Sequence, residues 1–130
     1  MNMPQAVNSV LARYAVFHGR SGRAEFWWWV LAYLILITIT RVIDAILLGP
    51  VLGLIPFAPD PGQPLSVLCT LALLVPNLAV AVRRLHDVGR SGWWLLLLLI
   101  PLVGVLVLIF WAIQPGQPGP NEFGSPGPRW

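Results

Sequence analysis

Residues 26–48 read FWWWVLAYLILITITRVIDAILL, 23 residues whose only charges, Arg41 and Asp44, lie toward the far end. A helix rises about 1.5 Å per residue, so this run reaches roughly 33 Å, enough for a hydrocarbon core of about 30 Å. Composition points the same way: 57% of the 130 residues are hydrophobic and 10% charged, where soluble domains carry roughly a quarter charged. A water-soluble single core and a multi-domain enzyme both fit this balance badly. A cleaved signal peptide has an apolar stretch of about 7–15 residues before a small-residue cleavage site. This run is longer and is followed by no A-x-A pattern, so it is read as a retained anchor.

Two more apolar segments follow. Residues 65–82 form an 18-residue run containing Pro76 and Asn77, and residues 93–113 a 21-residue run interrupted by Pro101 and Gly104. Between the first two runs, Pro50, Gly53, Pro56, Pro59, Asp60, Pro61, Gly62 and Pro64 predict a proline-rich loop. Residues 1–16 place Val7, Val10, Leu11 and Tyr14 at roughly helical spacing, which permits a short interfacial helix. The tail, QPGQPGPNEFGSPGPRW at 114–130, has no hydrophobic period and reads as extended or disordered. The expected fold is therefore an all-α integral membrane protein. Its membrane domain at 17–113 has three transmembrane helices (about 26–48, 65–82 and 93–113), and a Pro/Gly-rich tail follows.

Orientation follows from the basic residues, all eight of which are Arg. Arg13, Arg20 and Arg23 precede the first span, and Arg83, Arg84 and Arg90 lie between the second and third. The loop between spans one and two has none, and the tail only Arg129. The positive-inside rule puts the N-terminus and the 83–92 loop in the cytoplasm, and three spans then put the tail in the periplasm. Trp27, Trp28, Trp29, Trp93 and Trp94 fall at the cytoplasmic ends of their helices, as interfacial anchors do. A cytoplasmic tail would require 93–113 to be a re-entrant hairpin turning at Pro101 and Gly104. The net charge of +3 is explained by topology, with no nucleic-acid partner expected. The single cysteine, Cys69, excludes an intrachain disulfide and a cysteine-rich metal framework, and reads as a small buried residue.

The motif GRSG occurs at 19–22 and again at 89–92, each copy just before tryptophans and an apolar run. Both copies enter from the same side, so this is not the inverted repeat of a secondary transporter. A helix N-terminus with an adjacent Arg suits a lipid phosphate. The plainer reading is that Gly and Ser make a tight, capped entry while Arg20 and Arg90 enforce topology. In RRLHDVGRSGWW (83–94), His86 and Asp87 suggest an acid–base or metal pair. Neighbours on a helix point about 100° apart, and only His18 and Glu25 lie at the same membrane edge to complete such a site. No catalytic residue, metal or cofactor is expected. Charge accounting instead predicts that Glu25 and Asp87 pair with Arg20, Arg23, Arg83, Arg84 or Arg90 across the two segments. Arg41 and Asp44, a helical turn apart, are expected to face each other. In the second span Ser66, Cys69, Thr70, Leu73 and Asn77 form a stripe suited to close helix packing.

Three blocks together resemble the bacterial inner-membrane family called domain of unknown function 805. FHGRSGRAEFW (17–27) is similar to its first signature through Phe17, Gly19, Arg20, Arg23, Glu25, Phe26 and Trp27. RRLHDVGRSGWW is similar to the second through Arg83, Arg84, Leu85, His86, Asp87, Ser91, Trp93 and Trp94. GQPGPNEFG (116–124) is similar to the third through Gly119, Asn121, Phe123 and Gly124. The family usually continues with Pro-Asp-Pro where this chain has Ser125, Pro126 and Gly127, so the role of that Asp is absent here. The resemblance implies a small multi-pass inner-membrane protein and carries no reaction with it.

The expected function is non-enzymatic. Arg20, Ser21, Arg23, Glu25, Arg83, Arg84, His86, Asp87, Arg90 and Ser91 would contact anionic lipid headgroups, a partner membrane protein or a second copy of the chain. The rival is a small transporter or transporter subunit, with Arg41, Asp44 and Asn77 lining a pathway.

Overall fold

The computed structural model describes residues 2–48 and 64–126. The proline-rich loop expected at 50–64 lies almost wholly outside the described residues, as do the last four residues of the tail. Regular structure within the described residues is helical, apart from one isolated bridge between Asn121 and Gly124. The elements are α1 (Met3–Ala12), α2 (Arg23–Ile43), a π-helical turn (Asp44–Leu48), α3 (Pro64–Ala72), α4 (Leu74–Asp87), a 3-10 helix (Gly92–Leu99) and α5 (Val103–Ile113). The chain divides into two compact units, Met1–Trp29 with Pro76–Trp130, and Val30–Val75.

In the first unit, α1 starts at a capping box. The Asn2 side chain accepts from the Gln5 amide and the Gln5 side chain accepts from the Asn2 amide, each at 3.0 Å. Ala6 and Val10, four apart and so on one face, are buried. The helix expected near the N-terminus is therefore present, and its buried face is small.

α2 and the π-helical turn together are long and apolar enough to cross a membrane, and α3 with α4, broken at Leu73, are so if taken as one bent span. Leu31, Leu34, Ile35, Leu36 and Ile39 of α2 are exposed, the inverse of a soluble core helix and the surface that lipid would cover.

The third expected span does not form as one helix. The 3-10 helix ends at Leu99, and α5 turns back against it. Pro101 supplies the break: it has no N–H to continue a helix, and it biases the residue before it toward extended backbone. Ile100 accordingly sits at φ −97, ψ 104. Leu102 follows at φ 64, ψ −61, and the Val103 amide donates to the Pro101 carbonyl at 2.7 Å. That is the rare positive-φ γ-turn, a strained conformation for a branched side chain. Gly104 lets the two arms meet, because a Cβ there would fall on the Leu97 carbonyl. At the open end, the Trp94 and Trp111 rings lie edge-to-face with centroids 5.4 Å apart. Eight 3-10 residues at about 2.0 Å and eleven α residues at about 1.5 Å both give arms of about 16 Å, half the hydrocarbon thickness. The tip amides are served locally: Ile100 donates to Leu97 O at 2.9 Å and Gly104 to Ile100 O at 3.0 Å.

In the second unit the expected Arg41–Asp44 pair is likewise not among the ion pairs of the described residues. Asp44 is buried where the π-helical turn begins. Its Oδ1 accepts from the Leu65 amide at 3.0 Å and its Oδ2 from the Ser66 amide at 2.7 Å. A helix start leaves such amides without intrahelical partners, and a carboxylate satisfies them as an N-cap side chain would. Arg41 is exposed. Thr40 and Ser66, both buried, join their hydroxyls at 3.3 Å. Cys69, expected to be buried, is only half-buried.

Candidate functional site

Two carboxylates organise the polar centre of the first unit, and each gathers separate pieces of chain. Glu25, in the first turn of α2, is fully buried. Its Oε1 accepts from the Ser21 hydroxyl at 2.8 Å and from Arg83 Nη2 at 3.4 Å. Its Oε2 accepts from the Ser9 hydroxyl at 2.9 Å and is ion-paired with Arg13. Arg83 extends the cluster: Nε donates to Ser21 Oγ, and Nη1 to the carbonyls of Arg13 and Val16, all at 3.0 Å. Glu25 thereby ties α1, the first GRSG loop and α4 to the start of α2.

Asp87, at the end of α4, is the second hub and is also fully buried. Arg20 Nε and Nη2 both lie 3.0 Å from its Oδ1, and Arg84 Nη1 donates to its Oδ2 at 2.6 Å. The remaining guanidinium N–H groups go largely to backbone oxygens of the C-terminal part. Arg20 Nη1 donates to Gly119 O at 2.7 Å and Gly124 O at 3.3 Å, and Nη2 to Gln117 O. Arg84 Nε donates to Ala112 O at 3.1 Å, and Nη2 to Gln114 O. The cross-segment ion pairs expected from charge accounting are thus present. Beside them the structure adds a second set of partners, the carbonyls of the tail.

The tail is held in place from its own side too. The Gln117 amide donates to Asp87 O at 2.8 Å. Asn121 Nδ2 donates to His86 O at 3.0 Å, and its Oδ1 accepts from the Phe123 amide at 2.8 Å. That local turn lays the Phe123 ring parallel on His86, with centroids 4.1 Å apart. His86 Nδ1 donates to Gly19 O at 2.9 Å. The first glycines of both GRSG copies sit at positive φ, Gly19 at +88 and Gly89 at +80, which explains why a residue without Cβ opens each motif. Residues 114–126 have no regular secondary structure beyond the Asn121–Gly124 bridge, and they lie as a cover over 83–91.

Several expected roles change accordingly. Arg20, Ser21, Glu25, Arg83, Arg84 and Asp87 were candidates for outward contact with lipid or partner, and all six are turned inward. Arg20 is 2% exposed and Ser21 fully buried, so the first GRSG offers no outward charge. His86 and Asp87 face different partners, as their adjacent positions on a helix require. Every buried side-chain N or O among the described residues has a hydrogen-bond partner. The arrangement stiffens the chain at high polar density, since a satisfied network in a low dielectric is rigid.

The second GRSG behaves differently. Ser91 caps the 3-10 helix by accepting from the Trp93 amide at 3.3 Å. Arg90 is half-buried, its guanidinium carbon 4.1 Å from the centre of the Trp111 ring. Trp93 is 79% exposed and Trp94 45%. On α2, Arg23 and Trp28 are exposed, whereas Trp27 donates to Ala112 O at 3.1 Å and the buried Trp29 to Asn77 Oδ1 at 2.7 Å. Arg23, Trp28, Trp93 and Trp94 are thus exposed, and Arg90 is half-buried beside Trp111. Sequence reasoning missed Ser9, Arg13, Gln114 and Gln117. Gly119, Asn121 and Phe123 entered only through the resemblance, whose third block coincides with the cover.

The family described as Protein of unknown function (DUF805) matches residues 14–125, and the chain belongs to it. Inner membrane protein YhaI of Escherichia coli K12 is 42% identical over 118 residues, 90% of each chain. Inner membrane protein YhaH of the same strain is 37% identical over 121 residues, 92% of this chain and 93% of that one. The uncharacterized protein YiiR is 34% identical over 105 residues, 77% of this chain and 59% of that one. No solved structure matches. YhaI and YhaH are both named inner membrane proteins, which supports an inner-membrane location for this chain.

Proposed function

We propose that this member of the family is a non-enzymatic inner-membrane protein that binds anionic lipid headgroups at the cytoplasmic face. In this reading α2 and the broken pair α3–α4 cross the membrane, residues 92–113 re-enter it as a half-depth hairpin, and both termini lie in the cytoplasm. Arginine asymmetry supports that orientation, because six of the eight arginines flank the same membrane edge. The contacts of the tail with Arg20 and Arg84 support it as well.

One observation carries the functional reading: the second GRSG keeps its arginine half-exposed in an aromatic setting. Arg90 stacks on Trp111 beside the exposed Trp93 and Trp94. Stacking fixes the guanidinium plane while its N–H edges stay available for forked contact with phosphate oxygens, and indoles hold such a group at headgroup depth. Arg23, exposed at the start of α2, adds a second charge. Attraction of a surface Arg to an anionic leaflet contributes about 1 kcal/mol, so removing both should weaken retention of phosphatidylglycerol or cardiolipin by roughly 10–30-fold. Native mass spectrometry of the wild type and of Arg23→Gln with Arg90→Gln measures this. Equal retention by both refutes the reading, and a dimer mass without lipid would assign the rim to a second copy. The transporter alternative has weaker support: both Asp44 oxygens are committed to the α3 amides, and Asn77 Oδ1 to Trp29.

A further inference from the structure

Arg20 is a buried cation whose Nη1 is served by tail carbonyls and whose Nη2 is shared between Asp87 and the tail. Its Nε and one Nη2 contact reach Asp87, a carboxylate that Arg84 also uses. Nη1 has only the carbonyls of Gly119 and Gly124, and Nη2 also reaches Gln117 O. Three neutral oxygens thus stand where the acceptor of choice for a forked guanidinium is an anion. Carbonyls cancel no charge, and a buried cation sharing a single carboxylate keeps part of its desolvation cost.

The cover that supplies those oxygens is attached mainly by polar contacts. Gln117, Pro118, Gly119, Pro120, Glu122 and Gly124 are all exposed, and the segment's aromatic anchor is one ring, Phe123 on His86. Apolar burial therefore does little to hold it down. Glu122 is exposed and carries a negative charge on this cover.

We propose that residues 114–126 are a displaceable cover over a phosphate site, and that the phosphate of an anionic lipid headgroup takes the place of the Gly119, Gln117 and Gly124 carbonyls on Arg20. The same ligand field drives both halves of the exchange: it attracts Arg20 and repels Glu122. Arg20 keeps Asp87 throughout, so the anion adds to that pair and displaces only neutral acceptors. The proposal rests on the reading of this edge as an anionic-lipid face, and its readout is separate from that of Arg23 and Arg90.

The test is hydrogen exchange of the full chain in three settings: phosphatidylcholine nanodiscs, the same discs with phosphatidylglycerol, and phosphatidylcholine discs with inorganic phosphate. The amides to follow are Gln117, bonded to Asp87 O at 2.8 Å, and Gly124, bonded to Asn121 O at 3.0 Å. Exchange of both should quicken about fivefold with phosphatidylglycerol, and the response should persist in the Arg23→Gln, Arg90→Gln variant. Acceleration by inorganic phosphate as well makes free phosphate a sufficient ligand, and its absence there assigns the site to the lipid. In native mass spectra Phe123→Ala, which loosens the cover and leaves the cations intact, should retain one more phosphatidylglycerol than the wild type. Equal exchange in all three settings, or no added lipid on Phe123→Ala, overturns the proposal. Loss of lipid from the rim variant with the tail response intact leaves both readings standing, and loss of the tail response alone sinks only this one.

Discussion

Replacing Glu25 by Gln changes almost no volume and removes the charge at the centre of the first cluster. Four donors converge on the carboxylate: Ser21 and Arg83 on Oε1, Ser9 and Arg13 on Oε2. An amide must turn its NH2 toward one of those pairs, so donor meets donor. The larger loss is electrostatic. The Arg83 side chain is 0% exposed and would lose its carboxylate, and breaking a buried pair on one side costs about 3–5 kcal/mol. Arg83 keeps three neutral acceptors, Ser21 Oγ and the carbonyls of Arg13 and Val16. Arg13 is 29% exposed, so its share is weak. Both facts place the cost at the lower end, about 3 kcal/mol, or roughly a hundredfold in the unfolding equilibrium. Arg83→Gln alone should cost a similar amount, and the double variant clearly less than the sum, with a coupling of about 1–2 kcal/mol. Equilibrium unfolding in mixed detergent micelles measures the cycle, with Glu25→Gln and Arg23→Gln as the additive control. Additivity of Glu25 and Arg83 within about 0.5 kcal/mol would refute the clamp.

Two further substitutions have signs that separate this fold from its rivals. Gly104→Ala should destabilise by about 1–3 kcal/mol, because the new Cβ meets the Leu97 carbonyl of the opposite arm; in a straight third span the same change would stabilise by about 0.5–1 kcal/mol, so thermal unfolding decides between them. Asp44→Ala should cost about 0.5–2 kcal/mol and Asp44→Asn only a few tenths, since Asn caps helix amides nearly as well as Asp; equal losses from both would restore the ion pair with Arg41.

Much of the membrane character was legible because it depends on run length and charge alone. The pairing of Glu25 and Asp87 with arginines of the opposite segment was legible too, since six arginines and two acids crowd one edge. The hairpin was hidden because residues 93–113 have the length of a span, and hydropathy does not register where the backbone must turn. Its signal was Pro101 with Gly104 three residues on, a break followed by a place for close approach. The tail was hidden for another reason. It is held mainly by its carbonyl oxygens on Arg20 and Arg84, and main-chain acceptors leave no side-chain pattern to read. Arg41 and Asp44 misled because i, i+3 spacing implies a regular helix, whereas Asp44 opens a π-helical turn and reaches the start of α3.

The side of the membrane on which the tail lies tests the account most directly, since the hairpin, the clamp and the cover all require it to share a face with the N-terminus. In a Cys69→Ala background, Asn8→Cys and Ser125→Cys place single thiols at exposed positions of α1 and the tail. A membrane-impermeant thiol reagent applied to intact spheroplasts should label neither, and applied to inverted vesicles should label both. Labelling of position 125 from the outside, with position 8 reached only from the inside, would restore the three-span topology and contradict the account.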